Sequence, residues 1–234
     1  GSWVSSAVLL SVWTLLYFIW HYVESSRAGL IKRLQLESAM KDMEIKTMRS
    51  NLQPHFIFNS LNSIRALIDE DPELARLAIT KISNILRHSI TKQEASDTLE
   101  NELKLAHDYL DLEKIRFEER LTVSTEIDPV TLSVQIPTMM IQTLVENAVK
   151  HGISKIEAGG EIHIRSQRQG DTLCIEIENT GNLLQESTHE HSLGFGLSSS
   201  RQRLQHLYGE KATLLIFQRE NRVVLQIIIQ LKPQ

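Results

Sequence analysis

From Trp3 to Val23 the chain runs through twenty-one residues without a Lys, Arg, Asp or Glu, a length that crosses a bilayer as one helix. Trp3 stands at one end, and Tyr17, Trp20 and Tyr22 stand toward the other, as aromatic residues do at membrane interfaces. Arg27, Lys32 and Arg33 follow directly, which places the remainder on the cytoplasmic side. The pattern therefore predicts a transmembrane helix over 3–23, in contact with the lipid bilayer of a cell inner membrane. A buried core helix is the alternative, but a soluble helix of this length rarely lacks charge all round. No basic stretch precedes the apolar run and no small-residue cleavage site follows it, so it does not read as a signal peptide. Gly1-Ser2 reads as a cloning scar, which sets the expected start just before the last span of a longer receptor.

Charged and apolar residues then alternate without Pro or Gly until Pro54, with Ile31, Leu34, Ile45, Met48 and Leu52 spaced by threes, fours or their sums. This predicts a helical linker or coiled coil over 24–50, with a register shift near Met40 and Met43. Helical spacing resumes at Ile57, Leu61, Ile64 and Ile68 and carries a helix to about Asp69. Asp71-Pro72 restarts the chain as N-cap and first helical residue, predicting a second helix over about 72–90, antiparallel to the first. A further helix over about 99–117 follows the polar stretch Thr91 to Asp97.

After Arg120 the periodicity changes. Leu121 to Ile127 alternates, and Pro137 is expected to open a helix that runs to about His151. Strand patterns occupy Ile162 to Ile164, Leu173 to Ile177, Leu214 to Phe217 and Val223 to Leu231, with a helix from about Leu197 to Tyr208 between them. Residues 118–234 thus predict an α+β sandwich, an antiparallel-rich sheet with helices on one face.

Net charge of −4 and an isoelectric point near 6.2, with no dense basic block, argue against a nucleic-acid surface. Cys174 is the only cysteine, so no internal disulfide can form, and its alternating context suits a small buried hydrophobe.

The candidate chemistry begins at Gln53-Pro54-His55-Phe56-Ile57-Phe58-Asn59-Ser60-Leu61-Asn62. Helical spacing puts His55, Asn59 and Asn62 on one side, and Pro54 removes a backbone hydrogen bond beside His55. A neutral imidazole is a competent nucleophile near neutral pH. The run resembles the phosphoacceptor segment of LytS-type sensor histidine kinases, whose signature is PHFxFNxLN. The resemblance continues through Tyr109-Leu-Asp-Leu-Glu113 and Arg116-Phe117. It implies that His55 accepts a phosphoryl group, and that residues 51–117 hold the dimerisation and phosphotransfer helices.

A second candidate is Leu144-Val-Glu-Asn-Ala-Val-Lys-His-Gly152, an amphipathic helix that leaves Glu146, Asn147, Lys150 and His151 for polar work. An Asn carbonyl suits Mg²⁺, and the Lys and His could face phosphates. This run looks like the N box of the Bergerat-fold ATPases, the gyrase, Hsp90 and histidine-kinase superfamily. The resemblance gives Asn147 to Mg²⁺ and makes Glu146 a candidate polarising base. Downstream, Glu178-Asn-Thr-Gly181 ends a strand, and Gly194-Phe-Gly-Leu197 precedes a helix. Glycines there let backbone amides approach phosphates at a helix start. In the family, Asp usually stands two residues before the first of these glycines and receives the adenine amino group. Asn179 stands there instead, with an uncharged carbonyl that still accepts. Ser199 stands where an Asn is common, while Arg203-Leu204 and Tyr208-Gly209 match. Asn182 to Leu193 would form the lid over ATP. His189 and His191 within it lack the carboxylate or thiolate company of a metal site.

Together the resemblances imply a histidine kinase domain with a Bergerat/GHKL ATP-binding domain over 118–234. The expected activity is transfer from ATP·Mg²⁺, held by Asn147, Asn179, Gly181, Gly194 and Gly196, to His55 in a homodimer, followed by transfer to a response regulator of LytTR type. Phe56 occupies the place of the acidic base found in other kinase classes, leaving Glu146 or water to take the proton, and Asn59 is a candidate for positioning a water. The alternatives are a catalytically silent nucleotide-binding scaffold that signals by helix rearrangement, and a bare ATPase.

Overall fold

A computed structural model of the chain describes residues 13–15, 17–18, 20–21, 24, 54–91, 94–182 and 195–231. The chain divides into two compact units, residues 1–53 and 54–234. In the first, the described residues are helical and expose Trp13, Leu15, Tyr17, Phe18 and Trp20. The expected span over 3–23 lies largely outside the described residues, and the expected coiled coil over 24–50 lies outside them past Glu24. Among the described residues, no helix is long and apolar enough to cross a membrane.

The second unit opens with helices α1 (Pro54–Glu70) and α2 (Pro72–Thr91), joined by Asp71 alone. Asp71 Oδ1 accepts the Leu74 amide at 3.0 Å and Pro72 begins the helix, the start that the sequence signals. Phe56 and Ile64 of α1 and Ala78, Ile82 and Ile85 of α2 bury against helix α3 (Leu99–Phe117). Polar contacts fix the same packing, because Lys81 of α2 bridges Asp108 at 3.0 Å and Asp111 at 2.9 Å on α3.

Five strands form the main sheet, in the order β2 (Leu121–Ile127), β4 (Gly160–Gln169), β5 (Thr172–Thr180), β7 (Arg222–Gln230) and β6 (Ala212–Arg219). Only β2 and β4 run parallel. Ile162 and Ile164, then Leu173, Ile175 and Ile177, then Leu225, Ile227 and Ile229 alternate inward, each almost free of solvent. Against that face lie α3, α4 (Met140–His151) and α5 (Phe195–Tyr208). β4, β5 and β6 run two or more residues beyond their apolar cores, where polar residues such as Arg165, Glu178 and Gln218 continue the ladders.

The other face carries charge. Arg219 reaches Glu178 at 2.5 Å and Glu176 at 3.3 Å, and Gln226 donates to Glu176 at 2.7 Å. Cys174 sits on this face, half-buried beside Gln226, and not in the core.

One boundary differs from expectation. Pro137 does not open a helix; Gln135–Pro137 forms a short strand, β3, antiparallel to β1 (Ser96–Thr98), and α4 begins at Met140. Proline holds the residue before it extended, which suits a strand end. The chain then turns through a left-handed Met139, at φ 59° and ψ 22°. The helix start is satisfied from a distance: Glu102 of α3 accepts the amides of Met139 at 2.6 Å and Ile141 at 3.3 Å.

Candidate functional site

His55 lies exposed in the first turn of α1, with Asn59 one turn on. Asn59 Nδ2 stands 3.1 Å from His55 Nδ1 and 3.4 Å from Nε2. Asn62 is exposed farther along the helix, as the spacing predicts. Phe56 points the opposite way, buried with its ring centroid 4.7 Å from that of Tyr109 on α3. Helical geometry thus anchors one residue in the core and presents its neighbour to solvent.

Tyr109 links this helix to the second candidate region. Burial, then the nearby charges of Glu113 and Glu146, push its phenol well above the ordinary value, and the hydroxyl bonds the Glu113 side chain. Glu113 is pushed up by its own burial, against the opposing pull of Arg116 at 2.6 Å. Tyr109 therefore contacts Phe56 beside His55 and feels the charge of Glu146 on α4. The Tyr109 to Glu113 run is recognisable in sequence, but nothing in the spacing shows that it joins these two helices.

The buried face of α4 is apolar, made of Met140, Ile141, Leu144, Val145 and Ala148. Glu146 and Asn147 are half-buried, while Lys150 and His151 are exposed at the last turn. Gln142 Nε2 donates to Glu146 Oε1 at 2.9 Å. His151 is held below the ordinary imidazole value by burial, then by Lys150 and Lys155.

Asn179, the last residue but one of β5, is 3% exposed; its Nδ2 donates to Thr180 O at 2.9 Å, which leaves the side-chain oxygen for a donor. Gly152 follows α4 at the same place. A Cβ on Gly152 would lie 2.2 Å from Asn179 Nδ2 and 2.7 Å from Ala148 O, so only hydrogen fits. Gly181 adopts φ +137°, and a Cβ there would lie 3.5 Å from Gly152 Cα. Gly152, Asn179 and Gly181 therefore close together at the ends of α4 and β5. Gly152 is the member that sequence reasoning passed over, although a glycine just after a helix is a recognisable stop signal.

Gly196 brings the start of α5 against α4, where a Cβ would lie 3.3 Å from Thr143 Cγ2. Leu197 is buried behind it. Gly194, His189 and His191 lie outside the described residues.

His88, Asp97 and Glu102 converge, with a donor atom from each within 4.8 Å of the others. Their carboxylates are already engaged: Glu102 accepts the backbone amides of Met139 and Ile141, and Asp97 Oδ1 accepts the Thr98 backbone amide and the Asn101 side-chain Nδ2, both at 2.8 Å. That is the chemistry of a helix cap. On α4 the half-buried Asn147 carries an amide oxygen, a donor type that suits a hard divalent ion.

Comparison with known proteins adds an independent line. Residues 43–121 match a family described as histidine kinase, and residues 133–232 one described as histidine kinase-, DNA gyrase B- and HSP90-like ATPase. The sensor histidine kinase BtsS of Escherichia coli (strain K12) is 35% identical over 167 residues, 71% of this chain and 30% of BtsS. Sensor protein LytS of Staphylococcus saprophyticus is 32% identical over 203 residues, 82% of this chain and 34% of LytS. YwpD of Bacillus subtilis (strain 168) is 33% identical over 203 residues, 82% of this chain and 73% of YwpD. The chain spans about a third of the length of BtsS and LytS.

Proposed function

The chain belongs to the histidine kinase family, with a histidine kinase segment joined to a gyrase- and HSP90-like ATPase domain, and on that premise we propose that it phosphorylates His55 from ATP. The observation that carries this reading is an exposed His55 beside Asn59, on a helix whose Phe56 is locked to Tyr109.

In the transfer, the bond between the γ-phosphorus and the bridging oxygen of ATP breaks as a bond to an imidazole nitrogen forms. ADP leaves, and the imidazole proton passes to a base, for which Glu146 or water is the candidate. Such a transfer depends mainly on positioning and on neutralising the phosphate charge. Asn179 Oδ1 accepts the adenine amino group, and Gly181 and Gly152 allow the base to approach closely. Asn147 would supply an oxygen to Mg²⁺, whose charge would offset that of the phosphates, and Lys150 and His151 would face those phosphates. Gly196 and Leu197 stand in the first turn of α5, whose amides suit the phosphate end, and the family resemblance gives Gly194 to the same phosphates.

Residues 51–117 serve as dimerisation and phosphotransfer helices and 118–234 as the ATP-binding domain of a homodimer. The phosphoryl group then moves to an aspartate of a response regulator, of LytTR type on the family resemblance. Residues 3–23 hold the chain in the inner membrane, with 24–50 as the connecting helix.

Incubation with γ-labelled ATP, wild type beside His55→Gln, tests the reading. Acid-labile label on the wild type alone supports it. Nucleotide binding without any label points to a silent scaffold, and hydrolysis indifferent to His55 points to a bare ATPase.

A further inference from the structure

The carboxylate of Glu102 is completely buried, yet no step of the proposed transfer uses it. It stands on α3 and accepts the amides of Met139 and Ile141, where α4 begins. Amides at a helix start lack partners within the helix, and an anion there also meets the positive end of the helix dipole. Met139 offers no side-chain cap. The hold on the first turn of α4 falls to Glu102.

Titratable and charged groups from the neighbouring elements face this carboxylate. His88 of α2 brings Nε2 to 3.9 Å from Oε1. Asp97 of β1 is a like charge and Arg203 of α5 an opposite one. Arg203 also donates to Thr138 O, one residue before the turn that Glu102 caps. The hairpin helix, the glycine-turn helix and the start of α4 thus meet at one side chain.

Burial, the largest influence, pushes Glu102 up to about 7; the two backbone amides oppose it, Asp97 adds to it and Arg203 subtracts. The group therefore exchanges its proton near neutral pH. Ionised, it accepts both amides in charge-assisted bonds and attracts Arg203. Protonated, one oxygen becomes a donor and the grip on the two amides weakens. Asn147 lies six residues beyond Ile141, about 9 Å of helix rise, so a shift of the first turn is carried to it along a single rigid rod.

We propose that Glu102 is a positioning residue for the nucleotide site, holding the first turn of α4 so that Glu146 and Asn147 stay in place, and that it holds more firmly when ionised. The inference rests on the nucleotide-site reading above, so its test reads binding separately from turnover.

The dissociation constant of a fluorescent ATP analogue is measured with Mg²⁺ across the neutral pH range on the full chain, as wild type, Glu102→Gln and Arg203→Gln. The wild type is expected to bind roughly tenfold more tightly on the alkaline side, the size of effect that a small misplacement produces. Its inflection should lie near pH 7. Glu102→Gln keeps an oxygen for one amide but cannot ionise, and should lose the inflection. Arg203→Gln removes a cation that favours the charged form, and should move the inflection upward. Titration of the analogue's own phosphates is common to all three proteins. A Glu102→Gln profile with the wild-type inflection overturns the proposal. If that variant does not fold cooperatively, an unmoved inflection in Arg203→Gln overturns it instead. Failure of the wild type to acquire label would sink the kinase reading while leaving this binding comparison intact.

Discussion

The rings of Phe56 and Tyr109 meet with centroids 4.7 Å apart and planes at 39°, one residue from the candidate phosphoacceptor. A tilted pair at this distance adds attraction to the apolar area it buries. It ties the orientation of His55 to α3 and, through Tyr109, to the surroundings of Glu146. Phe56→Ala should therefore destabilise the chain by about 3 kcal/mol or more in urea unfolding. Tyr109→Phe keeps the ring, loses only the hydroxyl bond to Glu113, and should cost about 1 kcal/mol. Equal losses in the two variants would contradict the ring contact as the main tie between α1 and α3, because the hydroxyl bond lies within α3.

Gly152 and Gly170 make a matched pair for the nucleotide end. Gly170 adopts φ +59° in open space, so Gly170→Ala meets only backbone strain, about 1–2 kcal/mol, and should bind ATP normally. Gly152→Ala drives a methyl into Asn179 Nδ2 and Ala148 O. Its nucleotide affinity should fall by more than about tenfold, as a group fixed in a packed site is forced aside. Isothermal titration of both variants distinguishes a close-packed nucleotide pocket from ordinary turn strain.

Asn59 is the polar side chain beside the His55 ring. If it also positions a water against the phosphoryl group, phospho-His55 in Asn59→Ala should outlive the wild-type species when the decay of isolated, labelled protein is followed. Equal lifetimes remove that role.

Glu102 sets a pH dependence of stability with a definite sign. Its folded value near 7 lies above the ordinary 4.5, so the folded chain holds this proton more tightly than the unfolded one. The resulting stabilisation is complete below the unfolded value and is lost as pH rises through about 7. The full swing is about 3 kcal/mol. Wild type measured against Glu102→Gln should lose stability by up to that amount between mildly acidic and mildly alkaline solution. The charge that tightens the local grip on α4 thus carries a global desolvation cost, and a flat difference would contradict it.

Much of this was legible in the chain because local signals agreed with the fold. Asp71-Pro72 caps as its residue types require, α3 begins and ends where the periodicity does, and the apolar stripe of α4 is the buried face. What escaped depends on contacts between distant residues. The start of α4 is set by Glu102, thirty-seven positions before Met139, and Pro137 reads locally as a helix opener while it ends a strand. Cys174 alternates with true core residues but faces the charged side of the sheet, because period-two spacing does not say which face is inside. Among the candidate site residues, the short box marks Asn179 and Gly181 as a strand end and a glycine turn, which is where they stand. Their closure on Gly152 was not, since it depends on α4 ending beside β5.

The most direct measurement is mass spectrometry, under alkaline conditions, of the peptide containing His55 after incubation of the intact chain with ATP and Mg²⁺. The account predicts one phosphoryl group on the His55 imidazole, absent from Asn147→Ala and lost on brief acid treatment. Nucleotide turnover with an unmodified His55 peptide, or an acid-stable phosphate at a hydroxyl, would contradict it.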